Sequence, residues 1–264
     1  RDTDRSRGLG DVYKRQQTLW DMITYKAAQQ ADLNTRVRMQ AVSLATVMLG
    51  QGIAFDQQGS ELLRSKSFTR DSYDSGDWFN RVDYAMQDNN FNVGMPRISD
   101  DGSNYEVISR VKEMVATPGE AELKQMTAFY QELTGLRKSS PLFTLGDGSA
   151  VMKRVDFRNT GPDQQAGLLI MTIDDGVQAG ASLDSRVDGL VVAINAASES
   201  RTLNDFIGDN LQLSTIQQAA GDGSLASGVE IAANGAITLP AWSVAVLEKP
   251  QGDAQGTGLP VSSK

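Results

Sequence analysis

Residues 50–80 read GQGIAFDQQGSELLRSKSFTRDSYDSGDWFN, and this stretch decides how the rest of the chain is interpreted. Gly52 to Phe55 is a short apolar run bounded by glycines, which predicts a strand buried on both sides in a parallel sheet. The residues after it alternate between polar and aromatic types. A buried strand that leads into such a loop is typical of α/β proteins, whose sites form at the carboxyl ends of the strands.

The loop after this strand carries groups that suit a carbohydrate. Sugar hydroxyls pair with carboxylates, amides and guanidinium groups, and the C–H faces of sugar rings pack on aromatic planes. Both kinds of side chain are present here: Arg64, Lys66, Arg70, Asp71, Tyr73, Asp74, Asp77, Trp78, Phe79 and Asn80. The alternative is a solvated loop in which the charges pair with one another while the aromatic rings pack beneath them.

Composition excludes several classes of function. The net charge of -8 argues against electrostatic binding of nucleic acid, whereas an uncharged glucan is a compatible partner. With no histidine and no cysteine, the chain cannot supply a Ser-His-Asp or Cys-His nucleophile, a disulfide or a His/Cys zinc site. No apolar run reaches about 18 residues, so no transmembrane segment is expected. The 264 residues, 40% of them hydrophobic, are enough for one large or two modest domains.

In the first half of the chain, apolar residues recur at the spacing of α-helices. Apolar spacing, the N-cap candidate Thr18 and a capping box that begins at Thr117 predict helices over residues 19–30, 33–48, 105–115 and 121–138. Gly50 is expected to end the second helix in the left-handed conformation, and Pro141 to end the fourth. The residues between, 88–104, are rich in Asn, Asp and Gly and predict a long surface loop.

From Gly146 onward, apolar residues alternate with polar ones or form short continuous runs, as in β-strands. Seven are predicted, over residues 151–157, 168–173, 190–195, 211–216, 229–232, 236–239 and 242–247. Short strands separated by Gly and Asp turns indicate an antiparallel sandwich, and Asn234-Gly235 predicts a type I′ hairpin within it. The Asp-Gly pairs at 147, 175 and 222 lack the ligand spacing of a calcium loop, so they predict turns.

The run GSELLRSKSFTRDSYDSGDWFN resembles the segment after the eighth barrel strand of pullulanases and limit dextrinases, the starch-debranching members of the α-amylase superfamily. The resemblance continues through QTLWDMITYKAAQQADLNTRVRMQAVSLATVMLGQGIAFDQQG, NNFNVGMPRISDDGSNYEVISRVKEM and LRKSSPLFTLG, and it covers residue 17 to about residue 248. It is greatest to the bacterial pullulanases. It implies an α/β plus all-β fold in which the C-terminal portion of a (β/α)8 barrel precedes an antiparallel β-sandwich.

The resemblance also implies domain boundaries. Residues 17–143 are expected to be the last part of the barrel, 144–249 the sandwich, and 250–264 a flexible tail rich in Gly, Pro and Ser. Before QTLWD the family carries a strand ending in His-Asp-Asn, whereas this chain has Lys14, Arg15 and Gln16. We therefore expect residues 1–16 to be foreign to the family; a divergent N-terminal segment is the alternative.

Relatives of this kind hydrolyse α-1,6 branch linkages in pullulan, amylopectin and limit dextrins by a retaining double displacement. The nucleophile, the acid/base and the stabilising aspartate of the family have no matching motif here, so no catalytic residue is assigned and the chain alone is expected to be inactive. The expected partner is a branched α-glucan. No metal or cofactor is predicted, structural calcium in a longer enzyme is left open, and the resemblance implies an extracellular, cell-surface or periplasmic location.

The positions that match the family's substrate-binding loop are Arg70, Asp71 and Tyr73. Asp71 can accept from two glucose hydroxyls, Arg70 can donate to a third or hold that carboxylate, and Tyr73 offers a ring. Asp77 and Trp78 are expected to brace the loop. Two alternatives remain open: Arg70 and Asp71 simply pair at the surface, or the chain is a non-catalytic carbohydrate-binding or structural β module with a helical lead-in.

Overall fold

The computed structural model describes residues 17–27, 29–72, 76–205 and 207–260. Its helices are α1 (Leu19–Ala27), α2 (Leu33–Met48), α3 (Ile98–Asp101), α4 (Tyr105–Met114), α5 (Glu120–Ser139), α6 (Gly148–Arg154) and α7 (Thr215–Ala220). Its strands are β1 (Val155–Arg158), β2 (Leu168–Asp174), β3 (Val187–Asn195), β4 (Arg201–Leu203), β5 (Gln212–Leu213), β6 (Glu230–Ile231), β7 (Ile237–Leu239) and β8 (Ser243–Pro250). In the part of the chain described, no helix is long and apolar enough to cross a membrane.

The chain forms two compact units. The first takes its described residues from 1–40 and 55–128, and the second from 41–54 and 129–264. In the first unit α1 contacts α4, and a cluster of buried apolar side chains supports the loops between them: Phe68, Phe91, Ile108 and Val111. The Phe68 and Phe91 rings meet edge to face, with centroids 5.7 Å apart. This unit therefore consists of helices and long loops around a small aromatic core.

The second unit contains two open antiparallel sheets. One has the strand order β1-β2-β3-β8-β5 and the other β4-β7-β6. Central strand β3 is buried along its whole length and pairs with β2 on one side and β8 on the other. Side chains from both sheets, among them Val191, Leu203, Ile237 and Leu247, belong to one core cluster. The predicted antiparallel β domain is thus confirmed.

Four predicted helices are present, and two of them begin or end differently. Helix α1 has the Thr18 cap, because the Asp21 N–H donates to the Thr18 hydroxyl at 3.1 Å, but it ends at Ala27. At the start of α5 the Gly119 N–H donates to the Glu122 carboxylate at 2.7 Å, so the capping pair lies two residues later than predicted. Helices α2 and α4 match the predicted spans closely.

The predicted strand at Gly52–Phe55 is wrong. Residues 52–55 carry no strand pairing in the described structure, and Ile53 and Phe55 are 84% and 64% exposed. An apolar run becomes a strand only when a neighbouring strand takes up its backbone groups, and no such neighbour is described here. The expected left-handed cap at Gly50 is also wrong: the Arg137 guanidinium donates to the carbonyls of Met48, Gly50 and Gly52 at 2.6–2.7 Å.

Two segments predicted as strands are partly helical. Asp147 accepts from the Ala150 N–H and begins α6, so the predicted strand 151–157 shortens to β1. Ser214 accepts from the Gln217 N–H and begins α7, which leaves only β5 of the strand predicted at 211–216. Both N-caps were overlooked because the apolar residues that follow them also fit a period of two. The prediction missed β4 as well.

Two smaller corrections concern the hairpin and the tail. In the turn between β6 and β7 only Gly235 has a positive φ, so Asn234-Gly235 does not form a type I′ turn. The tail predicted to be flexible packs against the sheet as far as it is described, with Leu259 buried in the core cluster and the Gly256 N–H donating to Asp188 at 2.8 Å. Its four last residues and the predicted foreign segment 1–16 lie outside the described residues.

Glu132 on α5 is a buried side chain that accepts several hydrogen bonds in the second unit. Its removal tests how strongly these hydrogen bonds stabilise the unit. Its carboxylate accepts from the Gln217 amide (2.7 Å), the Ser224 hydroxyl (3.1 Å) and the Leu225 N–H (3.2 Å). Glu132→Ala leaves these donors without their acceptor, so we expect a loss of about 2–4 kcal/mol in the free energy of unfolding, measured by urea denaturation. The control is Glu120→Ala, an exposed glutamate on the same helix. Equal stability of both variants would contradict this role.

Candidate functional site

Residues 56–104, here called the polar loop, are fixed by a side chain from α1. Asp21 is fully buried, and its carboxylate accepts from the Ser65 hydroxyl (2.5 Å) and from the N–H groups of Lys66 (2.7 Å) and Phe68 (3.3 Å). Ser67 and Phe68 have φ values of 51° and 67°, a left-handed region that residues with side chains rarely adopt. Burial raises the pKa of Asp21, and its hydrogen bonds oppose that rise.

Two asparagines connect distant parts of the polar loop. The Asn90 amide donates to the carbonyls of Trp78 (3.0 Å) and Phe79 (3.3 Å), and the Asn89 amide donates to the carbonyl of Leu63 (2.8 Å). Both asparagines are buried. The segment predicted as a surface excursion is therefore partly an internal brace, because amide side chains there replace missing backbone pairings.

Asn80 connects two separate parts of the polar loop. Its side-chain oxygen accepts from the Arg64 guanidinium (3.1 Å) and from the Ser72 hydroxyl (3.2 Å), while Arg64 also donates to the Gln58 carbonyl (3.0 Å). The turn Asp77–Asn80 is thereby held beside residue 72. A loop tied in this way presents its remaining side chains in a fixed arrangement.

A partly buried cation also ties the loop to α4. The Lys112 ammonium donates to the Ser67 hydroxyl (3.0 Å) and to the Gly94 carbonyl (2.5 Å). Burial lowers the pKa of Lys112 to about 8. The lysine thus links the left-handed turn above Asp21 to the backbone at Gly94.

Lys66 is a second cation, and it lies entirely inside the loop. Burial, reinforced by the neighbouring Arg64 charge, lowers the pKa of Lys66 to about 8, while Asp21 and Asp71 oppose the shift. The attraction between Lys66 and Asp71 places the predicted sugar-binding carboxylate next to a buried positive charge.

Arg70 forms an ion pair with Asp101, a partner that the sequence does not predict. Its Nε lies 3.4 Å from a carboxylate oxygen of Asp101, which is 1% exposed, and the Arg70 N–H faces the same carboxylate at 3.4 Å. The guanidinium is half exposed, and Asp71 is half-buried beside it in the chain. Tyr73 lies outside the described residues. Arg70 therefore reaches solvent while a buried acid holds it.

Trp78, expected to brace the loop, is 49% exposed. Its ring stacks on buried Phe79, with centroids 4.2 Å apart and planes 26° apart. Asp77 beside it is exposed. The turn is therefore anchored by Phe79 and by the backbone contacts of Asn90 rather than by burial of the indole.

The residues that organise this site were not found from the sequence. Asp21 follows a predicted helix start, Asp101 lies in a run rich in polar residues and Lys112 lies inside a predicted helix, and none of these positions indicates a role at the site. The one available signal was the helical phase of α1, since Asp21 lies one residue after buried Trp20. Partners 31 to 47 residues away cannot be read from local periodicity.

The arrangement is suited to binding. It presents a guanidinium, a carboxylate and an indole on a loop whose backbone is held by buried groups. Within the described residues, no group of three acidic, histidine or cysteine side chains could hold a metal ion. Hydrogen bonding and stacking are the chemistry that these side chains can perform on a neutral polyhydroxylated ligand.

Comparison with known proteins identifies the family of this chain. The family described as "Alpha-1,6-glucosidases, pullulanase-type, C-terminal" matches residues 86–250. The chain belongs to the pullulanase-type α-1,6-glucosidases. A pullulanase from Klebsiella pneumoniae is 87% identical over 248 residues, which are 94% of this chain and 23% of that protein.

Solved pullulanase structures have the same fold as the described chain. PulA from Klebsiella oxytoca matches with a TM-score of 0.91 and 87% identity, covering 94% of this chain and 24% of that one. The maltotriose complex of PulA from Klebsiella pneumoniae matches with the same TM-score and 85% identity, covering 94% and 27%. The chain spans about a quarter of the length of these pullulanases.

The buried Lys66 ammonium makes stability depend on pH in a defined direction. Its folded pKa, about 8, lies below the ordinary value, so between about pH 8 and pH 10 the unfolded chain binds the proton that the folded chain has released. The contribution of Lys66 to stability is therefore present at high pH and lost as pH falls through about 8. Relative to the wild type, Lys66→Met should be more stable at pH 7 than at pH 10, as measured by urea denaturation.

The matched control for this comparison is Lys124→Met, which removes an exposed lysine on α5. Its stability difference from the wild type should stay constant over the same pH range. A pH-independent difference for Lys66→Met would show that the ammonium is not desolvated in the folded chain.

Proposed function

We propose that the chain is the C-terminal portion of a debranching glycoside hydrolase that cleaves α-1,6-glucosidic linkages in pullulan, amylopectin and limit dextrins. The observation that carries this proposal is the 87% identity to a pullulanase over 94% of the chain. The reaction is a retaining double displacement, which needs an aspartate nucleophile, a glutamate acid/base and a second aspartate that stabilises the transition state. In this proposal all three belong to another part of the longer enzyme, and this chain positions substrate.

We assign residues 17–143 to the last part of a (β/α)8 barrel, 144–249 to the sandwich and 250–264 to a terminal extension. The support for the barrel is that Ile53 and Phe55 expose their apolar side chains, as expected of a surface that the rest of a longer enzyme covers. Export of that enzyme, as the family resemblance implies, is part of the same proposal.

Substrate positioning is assigned to Arg70, Asp71 and Tyr73. Asp71 accepts hydrogen bonds from neighbouring glucose hydroxyls, and its carboxylate interacts electrostatically with the buried Lys66 ammonium. Arg70, held by buried Asp101, donates to a further hydroxyl through its exposed edge. Tyr73 provides a ring for a sugar face. Each such contact is worth roughly 1–3 kcal/mol when it is desolvated.

The test requires the whole catalytic machinery, so this chain is joined to the N-terminal part of the Klebsiella pneumoniae pullulanase; we call the product the joined enzyme. In it, Asp71→Ala should raise KM for short branched dextrins about tenfold or more, because the contact orients substrate, while the thermal midpoint stays unchanged. Steady-state kinetics measure this. Asp163→Ala, an exposed acid in the second unit, is the control. Unchanged kinetics in Asp71→Ala would make the loop purely structural.

A further inference from the structure

Trp78 is exposed more than packing requires. The ring is 49% exposed, whereas Trp20 is almost completely buried and Phe79, the next residue along the chain, is buried as well. Half-exposure of an indole forgoes hydrophobic free energy that the same side chain would gain in a core. The function described above does not use this ring.

The geometry shows which part of the indole is free. One face stacks on Phe79 at 4.2 Å between centroids. The two ends of the ring meet glycines: a Cβ on Gly76 would lie 2.8 Å from Nε1 and 2.9 Å from Cδ1, and a Cβ on Gly94 would lie 2.8 Å from Cη2 and 3.2 Å from Cζ3. Each of these Cβ positions lies within reach of only two adjacent atoms on the rim of the indole, so both glycines approach the ring at its edge and not over its face. The face opposite Phe79 is therefore the exposed one.

The ring is also held in place before any ligand arrives. Asn90 binds the Trp78 carbonyl at 3.0 Å, and Gly94, against the rim of the indole, has its carbonyl fixed by the Lys112 ammonium. Gly76 has a φ of 94°, which a residue with a side chain rarely adopts, so glycine there serves both the turn and the space for the ring. A rigid aromatic plane loses little entropy when a ligand stacks on it.

The loop that carries this face is polar. Asp77, the residue before Trp78 in the chain, is exposed, and Asn80, two residues after Trp78, accepts from the Ser72 hydroxyl. A flat apolar surface on a loop rich in carboxylate, amide and hydroxyl groups matches a sugar ring, which has a C–H face and peripheral hydroxyls. A protein partner would instead favour a wider apolar patch.

We infer that the free face of Trp78 stacks on the C–H face of a glucose unit of the bound oligosaccharide, so that the ring is a substrate-binding platform and not a brace. This inference rests on the proposed function, because it names a further contact for the same glucan. It adds a stacking contact to the hydrogen bonds assigned to Arg70 and Asp71.

The decisive experiment compares Trp78→Ala, Trp78→Phe and Tyr84→Ala in the joined enzyme. Trp78→Ala should raise KM for short branched dextrins about tenfold with little change in kcat, and Trp78→Phe should recover part of that loss because it keeps a planar ring. Tyr84→Ala removes another exposed ring of the polar loop and should leave both constants unchanged. Thermal midpoints of all three variants identify any change of fold.

Binding is measured in parallel with maltotriose as the probe. Tryptophan emission of the joined enzyme should shift in a saturable way on titration, and this shift should be smaller in Trp78→Phe, while the remaining emission, to which buried Trp20 contributes, still reports a folded chain. An unchanged KM in Trp78→Ala would overturn the inference and leave the proposed function intact. So would a fall in both the thermal midpoint and kcat of Trp78→Ala that Trp78→Phe does not rescue, because such a fall indicates a structural role. A joined enzyme that neither binds maltotriose nor hydrolyses pullulan would overturn both.

Discussion

The buried carboxylate of Asp21 is the constraint on which the first unit depends. A helix contributes one acceptor to a loop that has little regular secondary structure, and three donors converge on it. A carboxyl group so far from water is costly unless its hydrogen-bonding capacity is used, and here two backbone N–H groups and a hydroxyl use it. The left-handed turn at Ser67 and Phe68 follows from that convergence.

Asp21 illustrates why a perturbed pKa does not identify a catalytic group. Raised carboxyl pKa values cluster at active sites, but they also arise wherever burial serves structure. The oxygens of Asp21 are occupied by donors of the polar loop, so no oxygen is directed at a ligand. Glu132 has a similar structural role in the second unit, where its donors come from α7 and the residues that follow it. Both acids hold structure in place, whereas Arg70 and Trp78 are among the groups that face solvent.

Long periodic segments could be predicted from the sequence, and short or unpartnered ones could not. The stripe of α2 and the apolar runs of β2, β3 and β8 extend over enough residues for one period to dominate. The run at 52–55 is equally apolar, yet a strand is defined by its neighbours and not by its own residues. Helices α6 and α7 depend on a single capping side chain each, and in the prediction the apolar residues around each cap outweighed it.

The residue types of the candidate site can be read from the sequence, whereas the contacts that hold them in place cannot. Clustered Arg, Asp and aromatic residues indicated a sugar-binding loop, and family resemblance pointed to Arg70 and Asp71. The pairing of Arg70 with Asp101 and the edge contact of Trp78 with Gly94 join residues far apart in the loop. Such contacts depend on tertiary geometry, which no local pattern encodes.

The central claim is that this chain positions substrate for catalytic carboxylates carried elsewhere in a longer enzyme, and the release of reducing ends from pullulan tests it most directly. The chain alone should release none, because positioning cannot replace a nucleophile and an acid/base, whereas the joined enzyme should hydrolyse pullulan with retention of anomeric configuration. Turnover by the purified chain alone, or a folded joined enzyme without activity, would contradict the account.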